Sequence, residues 1–206
     1  MTAGSVPILD AAAVILLRRD HAGPRVLMGQ RGAKAVFMPS KFVFPGGAVD
    51  PEDGETAPDA RIDPRLSLDP LAGRAPDPAA LLSCARRELA EETGLRLDPA
   101  AEAFFMFRAI TPPGLPRRFD ARFFLYEADA VCGDLEDFSA ACDELSHLHW
   151  VGLKQARRLA LPFITEVVLA EVEAMIRIAG TGPLQRPPMV PFFDNRDAQP
   201  RFVQIS

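Results

Sequence analysis

The sequence is poor in cysteine, and the three cysteines that it has are far from any metal-like spacing. Cys84, Cys132 and Cys142 stand among 206 residues, in no closely spaced pair of the kind that zinc sites use. An odd number of cysteines cannot all be joined in disulfides within one chain, so a disulfide framework that uses all three is excluded. This pattern is typical of a reducing compartment, and we expect the protein to be cytoplasmic.

Long apolar runs and an excess of positive charge are also missing. The longest early apolar run, residues 11–17, is too short to span a bilayer, and its flanks lack the features of a secretory signal. The net charge is −5, so we expect no nucleic-acid partner, because such a partner needs a basic face. We expect no membrane partner either. A small anionic ligand stays compatible with this charge, since a few local arginines and a metal ion can override it.

The order of the predicted elements favours a single α/β domain covering residues 1–206. Hydrophobic residues make up 48% and charged residues 25% of the chain, which is an ordinary globular composition. Strands and helices alternate, as in an α/β sandwich. The predicted strands are residues 11–17, 25–30, 41–47, 104–110, 118–128 and 147–151, and the predicted helices are residues 78–93, 154–160 and 162–179. Two segments depart from this order. Residues 50–78, rich in proline and acidic residues, are interpreted as an insertion, and the proline-rich chain from about residue 180 is expected to be irregular.

The strongest helix signal covers residues 78–93. Asp77 is a suitable N-cap, Pro78 suits the first helical position, and Gly94 follows the last predicted turn. The apolar residues that share one face of this helix are Leu82, Ala85 and Leu89.

Three glutamates lie together on this helix. Glu88, Glu91 and Glu92 stand at i, i+3 and i+4, so their carboxylates share one face. Like charges at these spacings repel one another, and the C-terminal end of a helix disfavours anions. A hard cation such as Mg²⁺ would remove both penalties. Glutamate clusters on helices are more often plain solvated faces, so the neighbouring sequence has to decide between the two interpretations.

Residues 44–47 and 87–95 together resemble the motif of the Nudix hydrolase family. That motif runs Gly, five residues, Glu, seven residues, then Arg-Glu-apolar-any-Glu-Glu-any-Gly-apolar. Its second half matches at every specified position from Arg87 to Leu95, and Phe-Pro-Gly-Gly at 44–47 matches its start. Arg87 follows the second glycine by 40 positions rather than 14, so 26 residues are inserted. Glu52 and Glu55 are the nearby candidates for the first motif glutamate.

The resemblance implies a fold, an activity and a cofactor. The fold is an α/β/α sandwich with a mixed β-sheet, and the activity is hydrolysis of the phosphoanhydride in a nucleoside diphosphate linked to another group. The cofactor is Mg²⁺ or Mn²⁺. By position in the motif, Arg87 orients a carboxylate and Glu91 and Glu92 are catalytic. The metal ligands that the resemblance implies are Glu88, Glu91, Glu92 and the carbonyl of Gly47.

The general base and the phosphate-binding residues are less tightly constrained by the motif. Family members place the base either in the motif helix or in a loop before a late strand. Glu144 precedes the predicted strand at 147–151 and is therefore a candidate, with a solvated loop acid as the alternative interpretation. Arginine suits bidentate contacts with phosphate. The arginines on or beside predicted strands, and hence the candidates for substrate binding, are Arg31, Arg118 and Arg122, with Arg117 next to them.

The substrate is open among several nucleotide conjugates. Residues 37–47, the insertion and residues 111–124 resemble the branch that includes peroxisomal CoA diphosphatases, which implies cleavage of CoA or acyl-CoA into 3′,5′-ADP and phosphopantetheine. ADP-ribose, NADH and dinucleoside polyphosphates are the alternatives. A non-catalytic nucleotide-sensing module of the same fold is a further alternative, although such modules usually lose motif carboxylates that are all present here. Homodimerisation is a tendency of the family.

Overall fold

A large mixed β-sheet forms the centre of the molecule in the computed structural model, which describes residues 6–55, 61–68 and 76–206. The strands are β1 (Ile8–Asp20), β2 (Gly23–Arg31), β3 (Phe42–Val43), β4 (Gly46–Ala48), β5 (Arg96–Leu97), β6 (Phe104–Ile110), β7 (Arg118–Glu127), β8 (Val131–Cys132), β9 (Leu145–Gly152), β10 (Val190–Asp194) and β11 (Arg201–Ile205). The main sheet runs β11-β10-β6-β7-β1-β2-β3, with β4 beside β1 and β9 beside β2. β1 pairs with β7 and β6 pairs with β10 in parallel, and the other pairs are antiparallel. β5 and β8 form a separate small ladder.

Helices cover both faces of this sheet. They are α1 (Pro78–Thr93), α2 (Leu153–Ala156) and α3 (Phe163–Ala179). Because successive side chains of a strand point to opposite faces, Val14 and Leu16 of β1 belong to a buried cluster with α1, whereas Ile15 and Leu17 belong to a second cluster with α3. The expected α/β/α sandwich with a mixed sheet is confirmed. In the described part of the chain, no helix is long and apolar enough to cross a membrane.

The prediction of a helix over residues 78–93 is confirmed at both ends. α1 spans Pro78–Thr93, and the Asp77 side chain accepts a hydrogen bond from the backbone N–H of Ala79 at 2.9 Å. At the other end Gly94 takes φ +78°, a left-handed conformation that favours glycine. The caps fix where α1 begins and ends, and so fix which of its side chains face the sheet.

The described part of the insertion is not a free loop. It forms two short 3₁₀ turns, Pro51–Gly54 and Pro64–Ser67, while residues 56–60 and 69–75 of the predicted insertion lie outside the described residues. Leu66 is 2% exposed in the cluster under α1, and Arg65 donates a hydrogen bond to the carbonyl of Pro187 at 2.6 Å. Residues 61–68 therefore pack onto the α1 side of the sheet.

The prediction of an irregular chain from about residue 180 is wrong for two stretches. β10 adds to β6 and β11 adds to β10, which extends the main sheet by two strands. Val190 and Phe192 are fully buried. The free energy gained by burying these side chains outweighs the low strand propensity of the proline-rich sequence. A proline within a strand removes only one backbone donor, and Pro191 of β10 is accommodated one strand from the sheet edge.

Candidate active site

Two glycines bring the backbone against the carboxylates of α1. β4 pairs with β1, so Gly46 lies opposite Ala13 and Gly47 opposite Ala12. A Cβ added to Gly47 would lie 2.5 Å from Cδ of Glu88, and one added to Gly46 would lie 2.7 Å from Cα of Ala13. At Gly46 the backbone of β1 leaves no room for a side chain, whereas at Gly47 the Glu88 carboxylate would have to move to admit one. The Pro-Gly-Gly segment therefore forms the surface against which Glu88 and Glu92 rest.

Glu92 is the most deeply buried of the three motif carboxylates. It is 2% exposed, and its Oε2 accepts a hydrogen bond from the backbone N–H of Gly46 at 2.7 Å. Burial raises the pKa of Glu92 to about 8, and the nearby negative charge of Glu88 acts in the same direction, while the Gly46 hydrogen bond opposes it. An additional positive charge at this position would favour the ionised form.

Glu88 and Glu91 are held on the same helix face by Arg87. Nη1 of Arg87 donates to Oε1 of Glu88 at 2.8 Å and to Oε2 of Glu91 at 3.2 Å. Burial raises the pKa of Glu88, the positive charge of Arg87 opposes that shift, and the charges of Glu91 and Glu144 add to it. The structure thus gathers the carboxylates at i, i+3 and i+4 on one face with the arginine that was expected to orient them.

Asp53 holds Arg87 from the other side, and the sequence interpretation missed it. Nε and Nη2 of Arg87 donate to the two carboxylate oxygens of Asp53 at 3.0 and 2.9 Å, and Asp53 is 4% exposed. These bonds raise the pKa of Arg87 above its ordinary value. Glu52 and Glu55 are both exposed, and neither makes an ion pair with Arg87 in the described part of the chain.

Counting forward from Gly47, rather than back from Arg87, would have identified Asp53 in the sequence. Five residues separate Gly47 from Asp53, which is the family spacing, with aspartate in the place of glutamate. The 26 inserted residues therefore lie between Asp53 and Arg87. The contact between these two side chains closes the motif across the insertion.

A cavity of about 570 Å³ opens beside the carboxylates. Glu88, Glu91 and Glu144 are among the residues that line it. Glu144 is exposed, and its charge acts on both Glu88 and Glu92. The structure therefore brings the loop acid that was a candidate base to the motif helix. The aromatic residues that line the cavity are Phe37, Phe44, Phe119, Phe123, Phe163 and Phe193.

The candidate phosphate-binding arginines divide between the two faces of the sheet. Arg31 and Arg117 line the cavity. Phe119 and Phe123 of β7 line it too, so the alternation of the strand turns Arg118 and Arg122 away.

Both of the arginines that point away have other partners. Arg118 donates to the carbonyl of Asn195 at 2.7 Å, and Arg122 donates to Asp10 at 2.7 Å. A role for these two in substrate binding stays a prediction, and their contacts are structural.

The oxygens of this site fit a divalent cation chemically. Three carboxylates and the backbone of Gly47 supply the hard donors that Mg²⁺ and Mn²⁺ prefer, and a cation would favour the ionised forms of Glu88 and Glu92. As the side chains stand, no three His, Cys, Asp or Glu residues of the described ranges are gathered tightly enough to hold an ion. Because Arg87 engages both Glu88 and Glu91, ion binding requires these two side chains to rotate toward a common point.

Comparison with known proteins identifies a matching family model and relatives of the same fold. The NUDIX domain model matches residues 64–172. The Caenorhabditis elegans protein nudix hydrolase 7, whose assignment is provisional, is 29% identical over 172 residues, which cover 74% of this chain and 56% of that protein. The chain thus spans little more than half the length of this relative.

Two solved structures extend the comparison to the fold. A NUDIX hydrolase from Alicyclobacillus acidocaldarius superposes with a TM-score of 0.64 at 26% identity, covering 89% of this chain and 99% of its own. The NUDIX domain of Shewanella oneidensis NrtR, solved with ADP ribose, superposes with a TM-score of 0.52 at 15% identity, covering 84% and 92% of the two chains. The second likeness concerns the fold alone.

Proposed function

The chain belongs to the Nudix family, and from this membership we propose that it hydrolyses a phosphoanhydride bond in a nucleoside diphosphate linked to another group, with the help of a divalent metal ion. One observation carries the proposal. Of the three motif carboxylates of α1, Glu92 and Glu88 rest against Gly46 and Gly47, and Glu88 and Glu91 line a cavity that Glu144 also lines.

The residues that would hold the ion are Glu88, Glu91, Glu92 and the carbonyl of Gly47. Mg²⁺ or Mn²⁺ in this position supplies positive charge that offsets the charge developing on the phosphate oxygens. Arg87 positions Glu88 and Glu91, and Asp53 positions Arg87, so the ligand face is held from two sides. This is catalysis by electrostatics and orientation rather than by a covalent protein intermediate.

Two further side chains act on the reactants directly. Arg31 lines the cavity and binds the diphosphate, because a guanidinium offers paired donors to phosphate oxygens. Glu144 accepts a proton from the water that attacks one phosphorus in line. A new P–O bond forms as the bridging P–O bond breaks, and the departing phosphate keeps the electron pair.

The finer assignment within this class is cleavage of CoA or acyl-CoA into 3′,5′-ADP and phosphopantetheine. It is supported by the resemblance of residues 37–47 to the CoA diphosphatase branch. ADP-ribose, NADH and dinucleoside polyphosphates are the alternatives, and the NrtR domain shows a related fold with ADP ribose bound. A sensing module that binds a nucleotide without cleaving it is the non-enzymatic alternative.

Three wider expectations also stand as proposals. We propose that residues 1–206 form one domain, since β1, α1 and the C-terminal β10–β11 pair share buried clusters. We also propose a cytoplasmic location and a homodimer. Sedimentation of the purified chain at several concentrations tests the dimer.

An activity panel tests the reaction class. The panel compares wild-type protein with Glu91→Gln and with the matched control Glu171→Gln on α3. Each protein is incubated with CoA, acyl-CoA, ADP-ribose, NADH and a diadenosine polyphosphate. Each reaction is run with Mg²⁺, with Mn²⁺ and with chelator. We expect turnover of at least one substrate that requires metal, falls by about 100-fold or more in Glu91→Gln and survives in the control. Nucleotide binding without turnover under all conditions would replace the enzyme with the sensing module.

A further inference from the structure

One buried amide in the cavity presents a hydrogen-bond acceptor that no protein group uses. Asn195, which follows β10, lines the cavity and is 6% exposed. Its Nδ2 donates to the backbone carbonyl of Ile110 at 3.0 Å. In the described part of the chain, its Oδ1 accepts no hydrogen bond and yet keeps solvent-accessible surface. The polar atom of this side chain that a ligand can reach is therefore the oxygen.

The partner of the amide nitrogen fixes which end of the amide faces a ligand. A backbone carbonyl only accepts hydrogen bonds, so the nitrogen of Asn195 has to face Ile110 and the oxygen has to face away. The backbone of Asn195 is held as well, because Nη2 of the buried Arg118 donates to its carbonyl at 2.7 Å. Asn195 is thus a fixed acceptor, unlike an exposed amide that can rotate.

The side chains beside this acceptor are aromatic and aliphatic. Phe193 precedes Asn195 by two residues, the spacing at which side chains of an extended chain share one side, and both line the cavity. Phe163 meets Phe193 edge-on with ring centroids 6.2 Å apart, and Ile110 lines the same cavity. None of these three side chains offers a charge or a hydrogen bond. Such surroundings suit a flat, uncharged ring of a ligand.

A neutral acceptor among aromatic side chains selects a neutral N–H donor. On the basis of the proposed function, we propose that Asn195 is a specificity residue whose Oδ1 accepts a hydrogen bond from an amino or amide N–H on a heterocycle of the substrate. Two parts of a nucleotide conjugate carry such a donor, namely the amino group of the nucleobase and, in some conjugates, an amide on the linked group. A substrate without the donor leaves the Asn195 oxygen buried and unpaired, which is costly, so the enzyme discriminates against it.

Three dinucleotides that differ by single groups test the proposal. NADH is compared with its hypoxanthine analogue, in which an oxo group replaces the amino group of the base. It is also compared with its acetylpyridine analogue, in which a methyl group replaces the amide nitrogen of the linked group. The first comparison tests the base as the source of the donor and the second tests the linked group.

Each dinucleotide is assayed with wild-type protein, Asn195→Ala and the control Gln204→Ala, an amide that is exposed on β11 and does not line the cavity. We expect wild-type kcat/KM to be about tenfold or more higher for NADH than for one of the analogues, mainly through KM. Asn195→Ala should lose this preference by losing activity on NADH, and Gln204→Ala should keep it. Equal kcat/KM for all three dinucleotides in wild-type protein would overturn the proposal, and so would an equal loss for all three in Asn195→Ala.

A binding measurement separates this inference from the proposed reaction. Mononucleotides contain no phosphoanhydride, so they bind without being cleaved. Titration calorimetry compares AMP with IMP, and nicotinamide mononucleotide with its acetylpyridine analogue. The donor-bearing member of one pair should bind about tenfold more tightly to wild-type protein and not to Asn195→Ala, and equal Kd values within both pairs would overturn the proposal. If no substrate is hydrolysed, the proposed reaction fails, while the Kd ratios of wild-type protein still decide the role of Asn195, even if the variant does not fold.

Discussion

Alanine substitutions at the two adjacent glycines should have opposite consequences. The three heavy atoms nearest to a Cβ at Gly47 all belong to the carboxylate of Glu88, with Cδ at 2.5 Å and Oε2 at 2.8 Å. A Cβ at Gly46 would meet backbone of β1, namely the carbonyl oxygen of Ala12 and Cα of Ala13, the latter at 2.7 Å. The end of a side chain can rotate away at little cost, whereas a strand in the centre of the sheet cannot.

The expected magnitudes follow from that difference. Gly47→Ala should change the free energy of unfolding by no more than about 1 kcal/mol, since the alanine also restricts the unfolded chain. It should nevertheless lower metal affinity and kcat/KM by about 10- to 100-fold, because it displaces the Glu88 carboxylate. Gly46→Ala should lose about 3 kcal/mol of stability through overpacking against β1.

Three measurements check this pair of substitutions. Urea denaturation followed by circular dichroism gives stability, titration with Mn²⁺ gives metal affinity, and the substrate panel gives kcat/KM. In a Glu88→Gln background, Gly47→Ala should have no additional effect on metal affinity, because the group that it displaces is already changed. Unaltered metal affinity in Gly47→Ala, or wild-type stability in Gly46→Ala, would refute the reasoning.

Other substitutions probe the supports of the site and of the sheet. Asp53→Asn should lower kcat by about 10- to 100-fold by releasing Arg87, whereas Glu52→Gln should not, and steady-state kinetics compares the two. Burial opposes ionisation of Asp63, but its hydrogen bonds and ion pair with an arginine outweigh this and leave its pKa below the ordinary value. The resulting stability is present above the unfolded pKa of about 4 and is lost as the pH falls through the folded pKa. Denaturation curves should therefore show the full destabilisation by Asp63→Asn at pH 7 and a smaller one below about pH 4. A destabilisation that grows toward low pH would contradict the assignment. Asp120→Asn should cost about 3 kcal/mol of stability by breaking a buried ion pair, with KM of the folded protein unchanged; thermal unfolding and kinetics distinguish this from a substrate contact.

Local rules were sufficient to predict the motif helix. The N-cap Asp77, the proline after it and the left-handed Gly94 each satisfy a backbone requirement that is visible in the sequence. Helical spacing alone then places Glu88 and Glu92 on one face. The same locality explains the agreement over residues 104–110, where an apolar run forms β6.

Features that depend on distant partners could not be predicted in this way. The orientation of Arg118 and Arg122 follows from which face of β7 meets the cavity, and that face is decided by α3 and β1 rather than by β7 itself. β10 was missed because the parallel pairing with β6 and the burial of Phe192 are long-range effects. Asp53 was missed for a different reason, because the insertion obscured a spacing that is still intact on its N-terminal side.

The two faces of β7 predict how mutant alleles of this protein would divide in a genetic screen. On one face the strand lines the cavity with Phe119 and Phe123, and on the other Asp120 pairs with the buried Arg108 at 2.7 Å. Alleles altered on the ion-paired face should be temperature-sensitive, because they weaken folding and leave the chemistry intact. Alleles altered at the carboxylates of α1 should be null at every growth temperature. Codons of the ion-paired face of β7 and codons of the α1 carboxylates would then fall into different phenotypic classes.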